Sequence, residues 1–205
     1  MTQTDYWNHN VHYQSVILNA VPDGCGAALE VGCGDGMLAR RLAERAAEVT
    51  AIDRDAEMIA LARKQTPAVE GTSGRRVRFV EADFLAYPVQ AASYDFACAN
   101  TVLHHMDFAA ALSAMARALR PGGRLAVVGL AANGSPADYL IGAPGIPANL
   151  FYRALRGHGE SGAPVKDPEM TWAQVHATAW DVLPGVRYRR HLLWRYSLRW
   201  RKPGG

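Results

Sequence analysis

Leu29-Glu30-Val31-Gly32-Cys33-Gly34-Asp35-Gly36 decides the fold of this 205-residue chain. An apolar run meets three glycines at alternate positions, and a helical pattern follows from Met37. Glycine in such a place permits a sharp turn and lets backbone N–H groups approach a ligand at a helix N-terminus. Two ligand classes compete for the pattern. A dinucleotide fingerprint requires Gly-x-Gly-x-x-Gly, and its third position here is Met37, whose side chain would crowd helix–strand packing. The observed Gly-x-Gly-x-Gly has Glu30 just ahead of it, a carboxylate that disfavours a pyrophosphate and suits a cationic ligand.

Around this turn, short apolar runs alternate with helical periodicity. Strands are expected at Ala27–Val31, Val49–Asp53, Val77–Glu81, Tyr94–Ala99 and Arg124–Leu130. Between them lie a helix over Met37–Ala47, one capped by Asp55 that stops before Pro67, and one carrying Phe108, Leu112, Met115 and Leu119 up to Pro121-Gly122-Gly123. The link Phe84–Ser93 is so short that a brief helix or none is expected. Strand–helix–strand repetition predicts a mostly parallel, doubly wound α/β sheet with helices on both faces.

Past Leu130 the texture changes. Ala131–Ala148 is rich in Gly, Pro and Ala, Asn149–Arg156 offers about two helical turns by its periodicity, and Gly157–Pro168 reads as loop. Residues 131–170 are therefore expected to form a lid or wall over the acceptor side of the site. Thr171 and Gln174 make a capping box for a helix whose inner face holds Trp172, Val175, His176, Ala179, Trp180 and Leu183. After Pro184-Gly185, Val186–His191 and Trp194–Lys202 lie too close for a crossover and should form an antiparallel hairpin. Seven of the 22 basic residues fall between Arg187 and Lys202. Leu192, Trp194, Tyr196, Leu198 and Trp200 alternate there with Leu193, Arg195, Ser197, Arg199 and Arg201, which reads as a half-buried strand with a solvated basic face, in preference to a nucleic-acid patch.

The length suits one domain, 1–205, with residues 1–24 as an N-terminal cap segment. No apolar run approaches the roughly 20 residues needed to span a bilayer, so no membrane partner is expected. The start Met1-Thr2-Gln3-Thr4-Asp5-Tyr6-Trp7 lacks the pattern of a signal peptide, and a cytoplasmic location is expected. Cys25, Cys33 and Cys98 show neither zinc nor disulfide spacing and read as small buried hydrophobes. The aromatic and imidazole-rich Tyr6–Tyr13 precedes the first strand; Tyr13 or His12 is expected near the site, with Trp7 and Val11 packing on the domain. No spacing among His9, His12, His104 and His105 requires a metal.

Two further acids stand at strand ends. Asp53, at the end of the second strand, can accept both hydroxyls of a ribose. Asp83, just past the third, can accept from an adenine amino group while Phe84 walls the ring. Carboxyl ends of consecutive parallel strands converge on one crevice, where this architecture binds ligands.

With these segments together, Leu29–Leu38, Ala51–Asp55, Glu81–Leu85, Tyr94–Met106 and Leu119–Val128 resemble the successive motifs of class I S-adenosylmethionine-dependent methyltransferases, nearest the small-molecule type 11 group. The resemblance implies a seven-stranded Rossmann-like sheet of order 3-2-1-4-5-7-6 with strand 7 antiparallel. It also implies that Glu30, Gly32, Gly34 and Gly36 hold the methionine part of S-adenosylmethionine, that Asp53 takes the ribose, and that Arg54 and Met58 flank the nucleoside. Asp83 and Phe84 would meet adenine, and Asn100 would sit beside the sulfonium.

Methyl transfer from a sulfonium is an in-line displacement that needs alignment and exclusion of water, and a base only where the acceptor must lose a proton. His104 and His105 are the candidates for that base, because imidazole titrates near neutrality. Asn100-Thr101-Val102-Leu103 is unlike the Pro-Pro-Tyr turn of nucleic-acid amino-methyltransferases, and the paired-glutamate loop of protein arginine methyltransferases is missing. The expected acceptor is therefore a small molecule, methylated on O, N or C, with no nucleic-acid partner. Tyr139, Ile141, Leu150, Phe151 and Tyr152 point to an apolar or aromatic one. A protein of this fold that binds the cofactor without transferring methyl groups, and a nicotinamide oxidoreductase, remain the alternatives.

Overall fold

The structure, a computed structural model, describes residues 6–66, 76–157, 159 and 166–204. Pro67, the first five residues and most of the 157–168 stretch, all read above from sequence, lie outside the described residues.

Seven strands make one sheet: β1 Cys25–Val31, β2 Ala46–Asp53, β3 Arg76–Glu81, β4 Tyr94–Asn100, β5 Leu119–Gly129, β6 Arg187–His191 and β7 Arg195–Arg201. Their spatial order is β3-β2-β1-β4-β5-β7-β6, with β7 antiparallel to both of its neighbours and the other pairs parallel. This is the expected order. The central strands β1 and β4 and the inner half of β5 are apolar at their centres because both faces are covered, whereas the edge strand β3 exposes Arg78. Alternate residues divide between two cores. Leu29, Val31, Ala97, Ala99, Leu125 and Val127 pack beneath α5 (Phe108–Ala118) and α8 (Trp172–Val182). On the other face, Ala28, Val49, Ala51, Phe96, Cys98, Ala126 and Val128 pack against α2 (Gln14–Leu18), α3 (Met37–Leu42) and α4 (Ala56–Gln65).

Local signals set the helix ends. Asp55 caps α4 by accepting from the N–H groups of Glu57 and Met58, and Asp107 caps α5 by accepting from Ala110. Thr171 and Gln174 form the expected capping box of α8. The link after β3 carries turns and no helix. The short α1 (His9–His12) runs almost directly into α2.

Four expectations are corrected. The helix after the glycine turn ends at Leu42, short of Ala47, because β2 starts at Ala46, which pairs with Cys25 of β1. Pro121-Gly122-Gly123 ends no element by itself: α5 has already stopped at Ala118, Leu119 pairs with Tyr94, and the three residues form a register shift within β5. The stretch 131–148, rich in Gly, Pro and Ala and given no element from sequence, holds α6 (Pro136–Gly142) and the start of α7 (Gly145–Arg156). Ser135-x-x-Asp138 is a capping box that could have announced α6. His176 and Trp180 face outward, Trp180 being 55% exposed, because the buried stripe of α8 is the narrower Trp172, Val175, Ala179 and Leu183.

The hairpin carries a further departure. Arg199 and Arg201 are exposed as the alternation requires, but Arg195 and Ser197 are buried. Period-two alternation identifies the two faces of a strand and cannot tell whether another segment covers the polar one. Here the N-terminal segment does so: Asn10 accepts hydrogen bonds from Arg195, and the Tyr13 hydroxyl accepts from the Leu193 N–H.

No helix among the described residues is long and apolar enough to cross a membrane. Leu112 is fully buried where α5 meets the sheet. Leu112→Ala is expected to lower stability by about 2–5 kcal/mol through lost burial and the cavity it leaves. Urea titration should show this as a lower midpoint at an unchanged slope.

Candidate active site

The site starts from the turn after β1. Ile52 of β2 accepts from the N–H groups of Gly32 and Cys33, at 2.7 and 3.1 Å. Gly32 has φ +71°, and a Cβ there would stand 2.3 Å from the Val102 side chain, so the chain leaving β4 is pressed against this glycine. Gly34 opens instead onto free space. Its N–H donates to Asp53 Oδ2 at 2.8 Å, while Asp53 Oδ1 accepts from the Asp55 N–H at 3.0 Å. Asp35 accepts from the Met37 N–H and from the Tyr6 hydroxyl.

These contacts shape one cavity of about 660 Å³ over the carboxyl ends of β1, β2, β3 and β4, within the size range of cofactor sites. Of the residues singled out from sequence, Gly32, Gly34, Asp53, Arg54, Met58, Asp83, Phe84, Asn100, His104 and His105 line it. Asp53 and Asp83 offer acceptor oxygens at neighbouring strand ends; Asp83 spends Oδ1 on the Leu85 N–H at 2.9 Å. A carboxylate has about four acceptor sites, so both retain capacity for hydroxyl or amino donors of a nucleoside. Met58 and Phe84, both buried, supply apolar walls. The donor set fits a nucleoside with a cationic tail.

Glu30 and Gly36 fall elsewhere. Gly36 caps α3 with φ +75° and sits against the Phe79 ring and Ala62. Glu30 is 2% exposed under the turn, and its Oε2 has no hydrogen-bond partner. Burial first, then the Asp35 and Asp53 carboxylates, push its carboxyl well above the usual range, which favours the neutral acid. Cys33 lines the cavity, but burial and the neighbouring Glu30 raise its thiol strongly and disfavour the thiolate.

On the other side, a 3-10 turn, Leu103–His105, presents the two histidines with ring centroids 4.2 Å apart. Burial and then the neighbouring His105 push His104 down to about 4. Burial, then Arg54 and Lys166, lower His105. Both rings are therefore inclined to be neutral at pH 7. Asn100 donates through Nδ2 to the Asn10 carbonyl at 3.3 Å.

Sequence reasoning missed several lining residues. Tyr6, Asn8, His9 and Asn10 reach the cavity, whereas the expected His12 and Tyr13 do not line it: His12 is packed between Tyr13 and Tyr152, and Tyr13 is tied to Leu193. Lys166 and Arg195 line it too. No local signal announces Arg195, whose partner Asn10 is 185 residues away. Of the five insertion residues expected to shape an acceptor pocket, none lines this cavity. Tyr139, Ile141, Leu150 and Phe151 are 58–66% exposed, and Tyr152 stacks on Trp7.

A family model described as a methyltransferase domain matches residues 29–127, the stretch from the end of β1 to most of β5. An uncharacterized methyltransferase of Mycobacterium tuberculosis is 35% identical over 199 residues, covering 96% of this chain and 98% of the relative. A malonyl-[acyl-carrier protein] O-methyltransferase of Enterobacter lignolyticus is 37% identical over 109 residues, 53% of this chain and 40% of that protein. Among solved structures, the 1,6-didemethyltoxoflavin-N1-methyltransferase of Burkholderia thailandensis superposes with a TM-score of 0.62 at 18% identity, covering 95% of this chain and 78% of that one; it shares the fold. The glycine turn, the strand order and the near full-length relative agree, and the chain belongs to the class I S-adenosylmethionine-dependent methyltransferases.

Proposed function

We propose that this protein transfers the methyl group of S-adenosylmethionine to a small-molecule acceptor held at the β4–β7 end of the cavity. The observation that carries the reading is the pair Asp53 and Asp83, at the ends of adjacent strands, sharing one cavity with the open Gly34 turn and a neutral histidine pair. Asp53 and Asp83 accept from the ribose and adenine of the cofactor, Phe84 and Met58 flank the nucleoside, and Arg54 stands at its rim. Gly32 and Gly34 leave room for the methionine part, and Asn100 sits beside the sulfonium. Glu30 and Gly36 support that turn from beneath.

When bound, the cofactor supplies an electrophilic methyl group on a neutral leaving sulfur. The chain's own contribution is alignment and exclusion of water. Asn10 and Asn100 join the N-terminal segment to the end of β4, so its described part, residues 6–24, acts as a cap over the cofactor. The insertion contributes to the acceptor-side wall through Lys166. Neutral His104 or His105 takes the proton when the acceptor is a hydroxyl or another group that must lose one. The Enterobacter relative is named for O-methylation of a malonyl-carrier and the Burkholderia structure for N1-methylation of 1,6-didemethyltoxoflavin, which supports small acceptor groups.

Calorimetric titration with S-adenosylhomocysteine tests the reading. Asp53→Ala should weaken binding at least tenfold, about 1.4 kcal/mol, while Asp53→Asn loses less because one acceptor oxygen remains. Unchanged affinity in the alanine variant would remove Asp53 from the cofactor site.

The histidines give a pH test. His104 protonates near pH 4 in the folded protein and near its ordinary 6.5 when unfolded. Between these values the unfolded chain binds more proton, so stability falls as pH drops through that window. His104→Gln should flatten the fall in melting temperature between pH 6.5 and pH 4. A parallel fall in both proteins would mean that His104 is not held neutral.

A further inference from the structure

Arg195 is 8% exposed, yet it lines the cavity. Its Nε and Nη2 donate to Asn10 Oδ1 at 3.2 and 2.8 Å. Its Nη1 donates to the backbone carbonyls of Leu193 and Trp194 at 3.4 and 3.3 Å. Every one of these partners is a neutral oxygen. Among the described residues no carboxylate pairs with it. A guanidinium has five N–H donors, and these bonds use four, leaving one on Nη2. A buried charge normally has a counter-charge, because removing it from water without one is costly.

The surroundings deepen the imbalance. Lys166 lines the same cavity, and after burial and His105, Arg195 and Lys166 both add to the lowering of His104. Glu169 pairs with Lys166 at 2.8 Å and not with Arg195. The four acids that line the cavity, Asp35 in the glycine turn, Asp53 and Asp55 after β2 and Asp83 after β3, stand at the ends of β1, β2 and β3. Arg195 opens β7, which is separated from β1 by β4 and β5. Three inter-strand steps of roughly 4.8 Å put its backbone about 14 Å across the sheet from the glycine turn. Asn10 in turn accepts from Asn100, so the guanidinium is held just beyond the end of β4.

We propose that Arg195, positioned by Asn10, binds an oxyanion of the methyl acceptor, a carboxylate or phosphate oxygen, and thereby selects anionic small molecules. This rests on the transferase reading above and deepens it. The unpaired N–H and the uncompensated charge await the acceptor. The acceptor's anion is anchored at β7 while the atom to be methylated reaches back toward Asn100 and the histidines. The cofactor also carries a carboxylate, and the test separates the two sources.

Full-length protein saturated with S-adenosylhomocysteine is titrated calorimetrically with benzoate, with inorganic phosphate, and with benzamide as the neutral isostere of benzoate. The expected result is binding of at least one anion, with benzamide at least tenfold weaker than benzoate where benzoate is the anion bound. Arg195→Gln keeps polar contacts to Asn10 but removes the charge, and should weaken that anion at least tenfold. Arg195→Lys should retain it within about threefold, and S-adenosylhomocysteine affinity should stay within threefold in both variants. The proposal is overturned if neither anion binds the unaltered protein, if benzoate and benzamide bind alike and phosphate does not bind, or if Arg195→Gln binds the anion as before. It is equally overturned if Arg195→Gln weakens S-adenosylhomocysteine tenfold but leaves 5′-methylthioadenosine, which lacks the carboxylate, unaffected; Arg195 then serves the cofactor. Should Arg195→Gln fail to fold, the comparison of anion with isostere and the lysine variant still decide. Repeating the anion titration without S-adenosylhomocysteine keeps the two readings apart: a protein that ignores S-adenosylhomocysteine but binds the anion through Arg195 loses the transferase reading and keeps the anion site.

Discussion

The Asp53 carboxylate ties the ends of two strands together, and the site depends on that tie. One oxygen holds the Gly34 N–H of the turn after β1, and the other holds the Asp55 N–H that opens α4. The turn is fixed further by Gly32, whose missing side chain lets Val102 of the β4 loop close over it. A methyl group at Gly32 would push that loop away; one at Gly34 would meet nothing. The two glycines thus serve different ends, close packing in one case and an open floor in the other. Beneath them Glu30 sits among other carboxylates, and the pressure toward its neutral form relieves a concentration of like charge under the turn.

The cavity is electrostatically divided. Asp53 and Asp83 gather on the β2–β3 side, where polar hydroxyl and amino donors of a nucleoside would lie. Arg195 and Lys166 gather on the β4–β7 side, with the two histidines between. A cation such as a sulfonium is better tolerated near the acids, and an anionic partner near the guanidinium. Burial first lowers both imidazoles, and the cations add to it, since His104 feels His105, Arg195 and Lys166 and His105 feels Arg54 and Lys166. Uncharged rings in that position can receive a proton, which protonated ones could not.

Long-range stitching sets the acceptor side. His9 bonds Asn149 of α7 at 2.8 Å, Trp7 stacks on Tyr152, and Asn10 and Tyr13 hold the start of β7. The N-terminal segment, the insertion and the closing hairpin are therefore one packed unit at the mouth of the site. The apolar side chains of α6 and α7 that do not join this unit, Tyr139, Leu140, Ile146, Leu150 and Phe151 among them, point to solvent.

What the sequence determined by itself was everything that depends on backbone chemistry within a few residues. Glycines before a helix, acids at strand ends, capping residues and apolar runs of strand length gave the parallel strands, most helix starts and the positions Gly32, Gly34, Asp53, Asp83, Phe84, His104 and His105, because each element carries its own period and stop signals; the sheet order and Arg54, Met58 and Asn100 followed from the resemblance to methyltransferase motifs. Tertiary structure decided whatever depends on which surface covers which. The alternation in β7 placed Arg195 on a polar face correctly but could not reveal that Asn10 would bury it. The aromatics of 139–152 were apolar enough for a pocket, yet the helices that carry them turn four of the five outward. Glu30, one residue from the turn, faces the core under α3 and not the cavity, since a strand sends successive side chains to opposite sides. Burial and charge balance arise from contacts between residues far apart in the chain, and no local pattern encodes them.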